Sequence, residues 1–169
     1  MRILTPVMPH QAEDIWKNVI ECQKDGLESI LLSNWPKVNP RWENAPLEDE
    51  FAKILRAREI VSKAIEPLRA DKKVGSSLEV AVYIKTSDKT INSVLEANKD
   101  DLCNIFITSQ AVLADEPPSD VLNEYKEDEF TVWVVKAHGE KCERCWKYRT
   151  LGEHEGHETV CSECVEAIG

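Results

Sequence analysis

The feature that most constrains this chain lies near its C-terminal end: Cys142-x2-Cys145, fifteen intervening residues, then Cys161-x2-Cys164. A two-residue spacer lets both sulfurs of one turn face the same ion, and the loop brings the second pair back to it. Four thiolates saturate a tetrahedral Zn2+ with Zn–S near ~2.3 Å, leaving no open position for water, so the expected role is structural and not catalytic. Residues 141–169 are too short and too polar to fold alone. Metal affinity, ~10–16 kcal/mol apparent in comparable peptides, would supply their folding energy. Two disulfides or free thiols are the alternative for the same spacing. The start, Met1-Arg-Ile-Leu-Thr-Pro6, has no long apolar stretch of the kind a secretory signal needs, so a reduced cytoplasmic setting and a metal are expected. His154 and His157 sit between the pairs; with four cysteines in register they are expected to be loop residues and not ligands. Cys22 and Cys103 stand apart.

Charge narrows the function. Among 169 residues, 21 Lys and Arg face 31 Asp and Glu, a formal net charge of −10. That balance speaks against a generic, charge-driven nucleic-acid binder, so any such contact must come from a local basic patch. One is present: between Lys136 and Arg149, five basic residues (Lys136, Lys141, Arg144, Lys147, Arg149) face two acids, with Trp146 and Tyr148 interleaved. Basic and aromatic residues on a metal loop suit the phosphates and unstacked bases of single-stranded nucleic acid. Lys141, Arg144, Trp146, Lys147 and Arg149 are therefore candidate RNA contacts. The alternative is that Trp146 packs over the knuckle. Lys53–Lys73, with seven basic residues and three acids, is a second candidate surface, for which an ordinary solvated helix face is the favoured reading.

The segments predict an α+β chain: a helical N-terminal segment, a small mixed subdomain with a short sheet, and a C-terminal four-cysteine knuckle. Ala12, Ile15, Trp16, Val19 and Ile20 recur at helical spacing after Pro9, with Glu13 and Asp14 suiting the helix dipole and Gly26 ending the helix. Glu28–Pro36 reads as an extended connector. Pro36, Pro40 and Pro46 mark a linker, which suggests divisions at 1–45, 46–138 and 139–169. From Leu47, a second helix carries Phe51, Ile54, Val61, Ile65 and Leu68 on one face. Pro67 should kink or end it, and Gly75 supplies the stop. Leu78–Lys85 alternates as a half-buried strand, and Ser87 or Asp88 caps a helix holding Ile91, Val94 and Leu95. Cys103–Thr108 and Ala111–Ala114 read as short strands, Asp115–Glu129 as an acidic solvated loop, and Phe130–Val135 as the last strand. No run of about 18 apolar residues exists, so no membrane-spanning helix is expected.

No catalytic set is evident. His154-Glu-Gly-His157 has the outline of a His-x-Gly-His nucleotide signature, but Glu155 replaces its apolar second residue and the tetrapeptide lies inside a metal loop. A damage-specific DNA glycosylase of the formamidopyrimidine class also ends in four cysteines. That class needs a catalytic N-terminal Pro, and Arg2 occupies the second position here. A zinc module for interdomain or protein contacts is the other competing reading.

Taken together, Pro6-Val-Met-Pro-His10 leading to Glu13-Asp-Ile-Trp16, Glu28-Ser-Ile with Trp35-Pro36, Arg69–Glu79, and Lys141-Cys-Glu-Arg-Cys-Trp146 with Cys161-Ser-Glu-Cys164 resemble the C-terminal end of bacterial isoleucyl-tRNA synthetases. The resemblance covers nearly the whole chain. It implies the end of a helical anticodon-binding domain followed by a zinc module, a fragment of a class I ligase with Met1 at an internal or artificial start. The implied metal ligands are Cys142, Cys145, Cys161 and Cys164. The implied partners are isoleucine tRNA and the remainder of the synthetase, with neither membrane nor DNA expected. ATP and Mg2+ would belong to a catalytic domain outside this piece, which by itself would be inactive. Pro67 and Glu143 depart from the family's usual pattern.

Overall fold

A helix that buries one continuous stripe needs a sheet to bury it against, and the segment from residue 45 supplies that stripe. In a computed structural model, which describes residues 1–19, 26–152 and 156–168, the chain forms two compact units, Met1–Asn44 and Ala45–Gly169.

In the second unit, α2 (Ala45–Ala70) follows α1 (Pro9–Asn18) of the first unit in the chain. It buries Ile54, Ala57, Ile60, Val61, Ala64, Ile65 and Leu68. These positions recur at three- and four-residue steps, the spacing of one helix face. They pack on Val80, Val82 and Ile84 of β1 (Val80–Thr86) and on Phe130, Val132 and Val134 of β4 (Phe130–Lys136). With β2 (Gln110–Leu113) and β3 (Asn123–Glu127), the sheet runs in the order β2-β1-β4-β3. β1 is parallel to β2 and antiparallel to β4; β3 and β4 form a hairpin. The β1–β2 crossover carries α3 (Lys89–Ala97) and α4 (Leu102–Ile105), as parallel pairing requires. Asp88 caps α3, accepting from the Thr90 and Ile91 amides at 2.7 and 3.0 Å. Those amides, Ile91 foremost, hold its carboxyl below the usual range.

The mixed α/β architecture agrees with the sequence expectation, while several local elements differ. α2 runs through Pro67 instead of ending there. Proline in a helix interior costs about 3 kcal/mol, but Ile65 and Leu68 on either side are buried, each worth roughly 1.5–3 kcal/mol. The left-handed residue after the helix is Lys72 (φ 57), not Gly75, and the Lys73 amide closes the end on the Leu68 carbonyl at 2.9 Å. Residues 103–108 are not a strand. Leu102 and Phe106 stand four apart and are both buried, which suits one helical turn, and a short apolar run does not distinguish the two by itself. The acidic stretch 115–129 contains β3. Three of its seven acids are met by α2: Arg56 reaches Asp128 and Glu129 at 2.6 and 3.2 Å, and Lys63 reaches Glu127 at 2.7 Å. Lys63 also lowers the Glu127 carboxyl, with help from the Tyr125 hydroxyl.

In the first unit, α1 (Pro9–Asn18) buries Ala12 and Trp16 against Ile30. Glu13 lies past the first turn of α1, which holds no acid, so it is not a partner of the helix dipole. It accepts from the Ser29 hydroxyl at 2.7 Å and the Ile30 amide at 3.1 Å, so a 3-10 turn at Ile30–Leu32 replaces the expected extended connector. The Trp16 indole donates to the Leu27 carbonyl at 3.0 Å. α1 ends at Asn18, with Val19 extended, and not at Gly26; residues 20–25, Ile20 and Cys22 among them, lie outside the described residues.

If tertiary burial is what carries α2 through Pro67, then Pro67→Ala should stabilise the fold by up to ~3 kcal/mol, read as a higher urea midpoint at an unchanged m-value. A lower midpoint would show that the proline ring itself packs favourably.

Candidate metal centre and nucleic-acid interface

Three short elements bring the cysteines together. β5 (Glu140–Lys141) pairs antiparallel with β6 (Tyr148–Arg149), placing Cys142 and Cys145 in the turn between them. Cys161 precedes α5 (Ser162–Glu166), which carries Cys164. Within the turn, the Trp146 amide donates to the Cys142 carbonyl and the Cys142 amide to the Lys147 carbonyl, both at 2.9 Å. The Glu143 amide reaches the Thr159 carbonyl at 3.1 Å, tying the first pair to the approach of the second.

The four sulfurs all lie within 4.8 Å of one another. Cys142 and Cys164 are separated by 3.8 Å, Cys145 and Cys161 by 3.9 Å. A sulfur-to-sulfur disulfide bond is about 2.05 Å, so these are four separate thiols. The edge of a tetrahedron with ~2.3 Å metal–sulfur arms is about 3.8 Å. The donor set therefore fits a four-coordinate cation, and its three most enclosed members, Cys142, Cys161 and Cys164, are buried. Burial opposes ionisation of Cys142, but the amides of Cys145, Cys161 and Arg144 outweigh it and lower the thiol to about 6. Burial pushes Cys145 up to about 12 and raises Cys161 as well. Without a cation, four adjoining sulfurs cannot all carry charge; a dication removes that conflict. His157 is not among the clustered ligands, and His154 lies outside the described residues.

The structure divides the basic patch in two. Trp146 is 61% exposed, with the Lys141 ammonium 5.5 Å from its ring centroid, and Arg144 is exposed beside it in sequence. Trp146 also takes a left-handed backbone (φ 64), a conformation that costs a non-glycine residue on the order of 1–3 kcal/mol. Its ring thus faces solvent and does not pack over the knuckle. Lys147 and Arg149 turn toward α4: Lys147 binds the Asn104 side chain and lies 3.7 Å from the Cys103 sulfur. Arg149 lies 3.5 Å from that sulfur and 3.2 Å from Glu163. Along Lys53–Lys73, five of the seven bases (Lys53, Arg56, Lys63, Arg69, Lys73) are ion-paired, which makes that stretch a neutralised face.

Sequence reasoning missed the residues that seat the hairpin. The Ser109 hydroxyl accepts from the Tyr148 amide at 2.7 Å and donates to the Leu78 carbonyl. The Gln110 amide donates to the Tyr148 and His138 carbonyls at 2.6 and 3.1 Å, while its oxygen accepts from the His138 amide. Gly139 has φ 94, and a Cβ there would meet the Arg149 carbonyl oxygen at 2.5 Å. A lone glycine between the last long strand and the first cysteine was the one available signal. Gly139→Ala should destabilise this hairpin by on the order of 1 kcal/mol or more. Amide exchange should accelerate over residues 140–149 and stay unchanged in β1 and β4; uniform acceleration would contradict a local role.

Comparison with known proteins completes the picture. Residues 1–84 match the anticodon-binding domain of tRNA ligase. Over 168 residues the chain is 36% identical to the isoleucine–tRNA ligase of Gloeobacter violaceus, covering 99% of this chain and 17% of that protein. It is 34% identical over 171 residues to the enzyme of a Thermoanaerobacter species, covering 99% and 18%. It is 36% identical over 189 residues to the chloroplastic/mitochondrial isoleucine–tRNA ligase of Arabidopsis thaliana, covering 99% and 17%. The chain thus spans under a fifth of these relatives. With residues 1–84 matching that domain at one end and four clustered cysteines at the other, the chain belongs to the isoleucine–tRNA ligase family and corresponds to the C-terminal part of such an enzyme.

Proposed function

We propose that this chain grips the anticodon side of isoleucine tRNA and holds it in register for ATP-dependent aminoacylation performed elsewhere in a class I ligase. The observation that carries this reading is the alignment with isoleucine–tRNA ligases along 99% of the chain. In this reading ATP and Mg2+ act in the catalytic domain, the partners are the tRNA and the rest of the synthetase, and the setting is the cytoplasm. The chain alone does not aminoacylate. Among the described residues no helix is long and apolar enough to cross a membrane.

The cation we assign to Cys142, Cys145, Cys161 and Cys164 is Zn2+, and residues 139–169 act as its module. Bound there, Zn2+ supplies folding energy to the tail and no chemistry on substrate. The protein's own residues do the rest. Trp146 offers a flat indole to an unstacked base, and Lys141 and Arg144 meet phosphates. Lys147 and Arg149 hold the knuckle against α4 through Cys103 and Asn104. For those two, the contacts favour a positioning role over an RNA contact. A chain of net charge −10 repels RNA overall, so the isolated piece binds weakly and loses affinity steeply with salt.

Two measurements test this. Purified protein should carry one zinc per chain. Cys145→Ser or acidification should release it, because protons compete for the thiolates; retention of full zinc by Cys145→Ser would refute the ligand set. Trp146→Gly should keep the zinc, since glycine tolerates φ 64, yet weaken tRNA binding by about tenfold, the loss of one stacked base. Unchanged affinity would remove Trp146 from the interface.

A further inference from the structure

α4 ends in a way that its sequence does not favour. The Thr108 amide donates to the Cys103 carbonyl at 3.0 Å, and the Ile107 amide to the Asn104 carbonyl at 3.3 Å. That pair of bonds is a Schellman closure, whose left-handed position is usually glycine. Here Ile107 holds it, at φ 57. A β-branched residue in that region is an outlier, and such strain persists only where the surrounding structure over-determines it. Thr108 and Ser109 are buried and fix the chain that follows, the Ser109 amide donating to the Val80 carbonyl at 3.1 Å. Burial of Ile107 does not offset the strain: it is 48% exposed, against 3% for its neighbour Phe106.

Ile107 and Phe106 help line a small cleft of about 120 Å3, together with Arg58, Ser62, Glu66 and Arg69 of α2. Glu66, the one acid of this lining among the described residues, is already taken: it accepts from Arg69 at 2.8 Å. Arg58 is half-buried and makes no ion pair among the described residues. In a chain of net charge −10, the cleft thus presents a free cation beside a strained aliphatic side chain. That pair suits a polypeptide segment with a carboxylate next to an apolar residue. RNA would use the cation, but bases stack on aromatic faces, and Phe106 is buried. One exposed aliphatic group and one free cation also fall far short of the roughly 1,000 Å2 that a stable contact between separate molecules needs, a second copy included. A segment of the same polypeptide needs far less, because tethering supplies an effective concentration on the order of mM. The chain spans 17% of its Gloeobacter violaceus relative, so most of such an enzyme lies outside these residues.

We propose that this cleft seats a segment of the rest of the synthetase, with an aliphatic side chain against Ile107 and a carboxylate on Arg58. The proposal rests on the partnership given above and adds the place where it is made. The test uses the intact ligase that carries this chain, with photoreactive benzoylphenylalanine in place of Ser62. Irradiation should crosslink position 62 to a segment outside these 169 residues that holds an Asp or Glu beside an aliphatic residue. Arg58→Gln and Ile107→Gly should each cut the yield about fivefold or more. In the full chain on its own, Ile107→Gly should raise the urea midpoint, because glycine takes φ 57 without strain. No crosslink, or one to tRNA, to a second copy or within these 169 residues, overturns the proposal. So does a lower midpoint for Ile107→Gly, which would make that side chain a stabilising one. Trp146→Gly should leave the crosslink intact. If that variant also binds tRNA like the parent, the RNA contact of the metal module falls while this one stands.

Discussion

The burial of one face of α2 against β1 and β4 is the constraint on which the second unit depends. It fixes the two central strands, which are paired through every residue of β1 from Val80 to Thr86. β1 in turn positions β2 beside it, and the Ser109–Gln110 pair at the start of β2 supplies the hydrogen bonds that seat the cysteine-bearing hairpin. A disturbance of α2 would therefore reach the cysteine cluster through β1 and β2 and the Ser109 and Gln110 side chains. The hairpin contributes little apolar surface of its own: its enclosed groups are largely the cysteines, with Leu151 and Val160 beside them. Its shape therefore depends on the sheet and on the clustering of the four sulfurs.

This arrangement explains how an acidic protein can present a basic patch. Most bases along α2 are spent on acids of the same unit, Arg56 and Lys63 pinning the β3–β4 hairpin. Surface pairs of this kind add little stability each, but they remove those cations from any role with phosphate. Among the cations left outward, Lys141 lies over the ring of the exposed Trp146, with Arg144 two residues before it in sequence. Trp146 is held outward by a backbone that tryptophan does not prefer, which the turn between Cys142 and Lys147 enforces through its two backbone hydrogen bonds.

The cysteine spacing announced its own geometry because coordination chemistry is local: two-residue turns and a returning loop suffice. The long amphipathic helix, β1 and β4 were legible from periodicity, and the Asp88 cap from its position before an apolar run. The misread elements were those whose state depends on distant residues. Residues 102–105 form a helical turn with Leu102 and Phe106 facing the core, and the acidic 115–129 stretch contains a strand because it pairs with β4, with α2 cations at its far end. Pro67 was expected to break a helix, a rule that holds only where no core waits on the far side.

Sequence by itself determined the class of the chain, the four ligands that a metal would take and the cluster of bases and aromatics beside them, since residue type and spacing decide those. Only the tertiary structure decided which bases are free to act. Lys147 and Arg149 sit in the same short run as Lys141 and Arg144, yet they turn toward Cys103 and Asn104, more than forty residues earlier. No local pattern encodes that choice, because it arises from where β2 places the hairpin against α4.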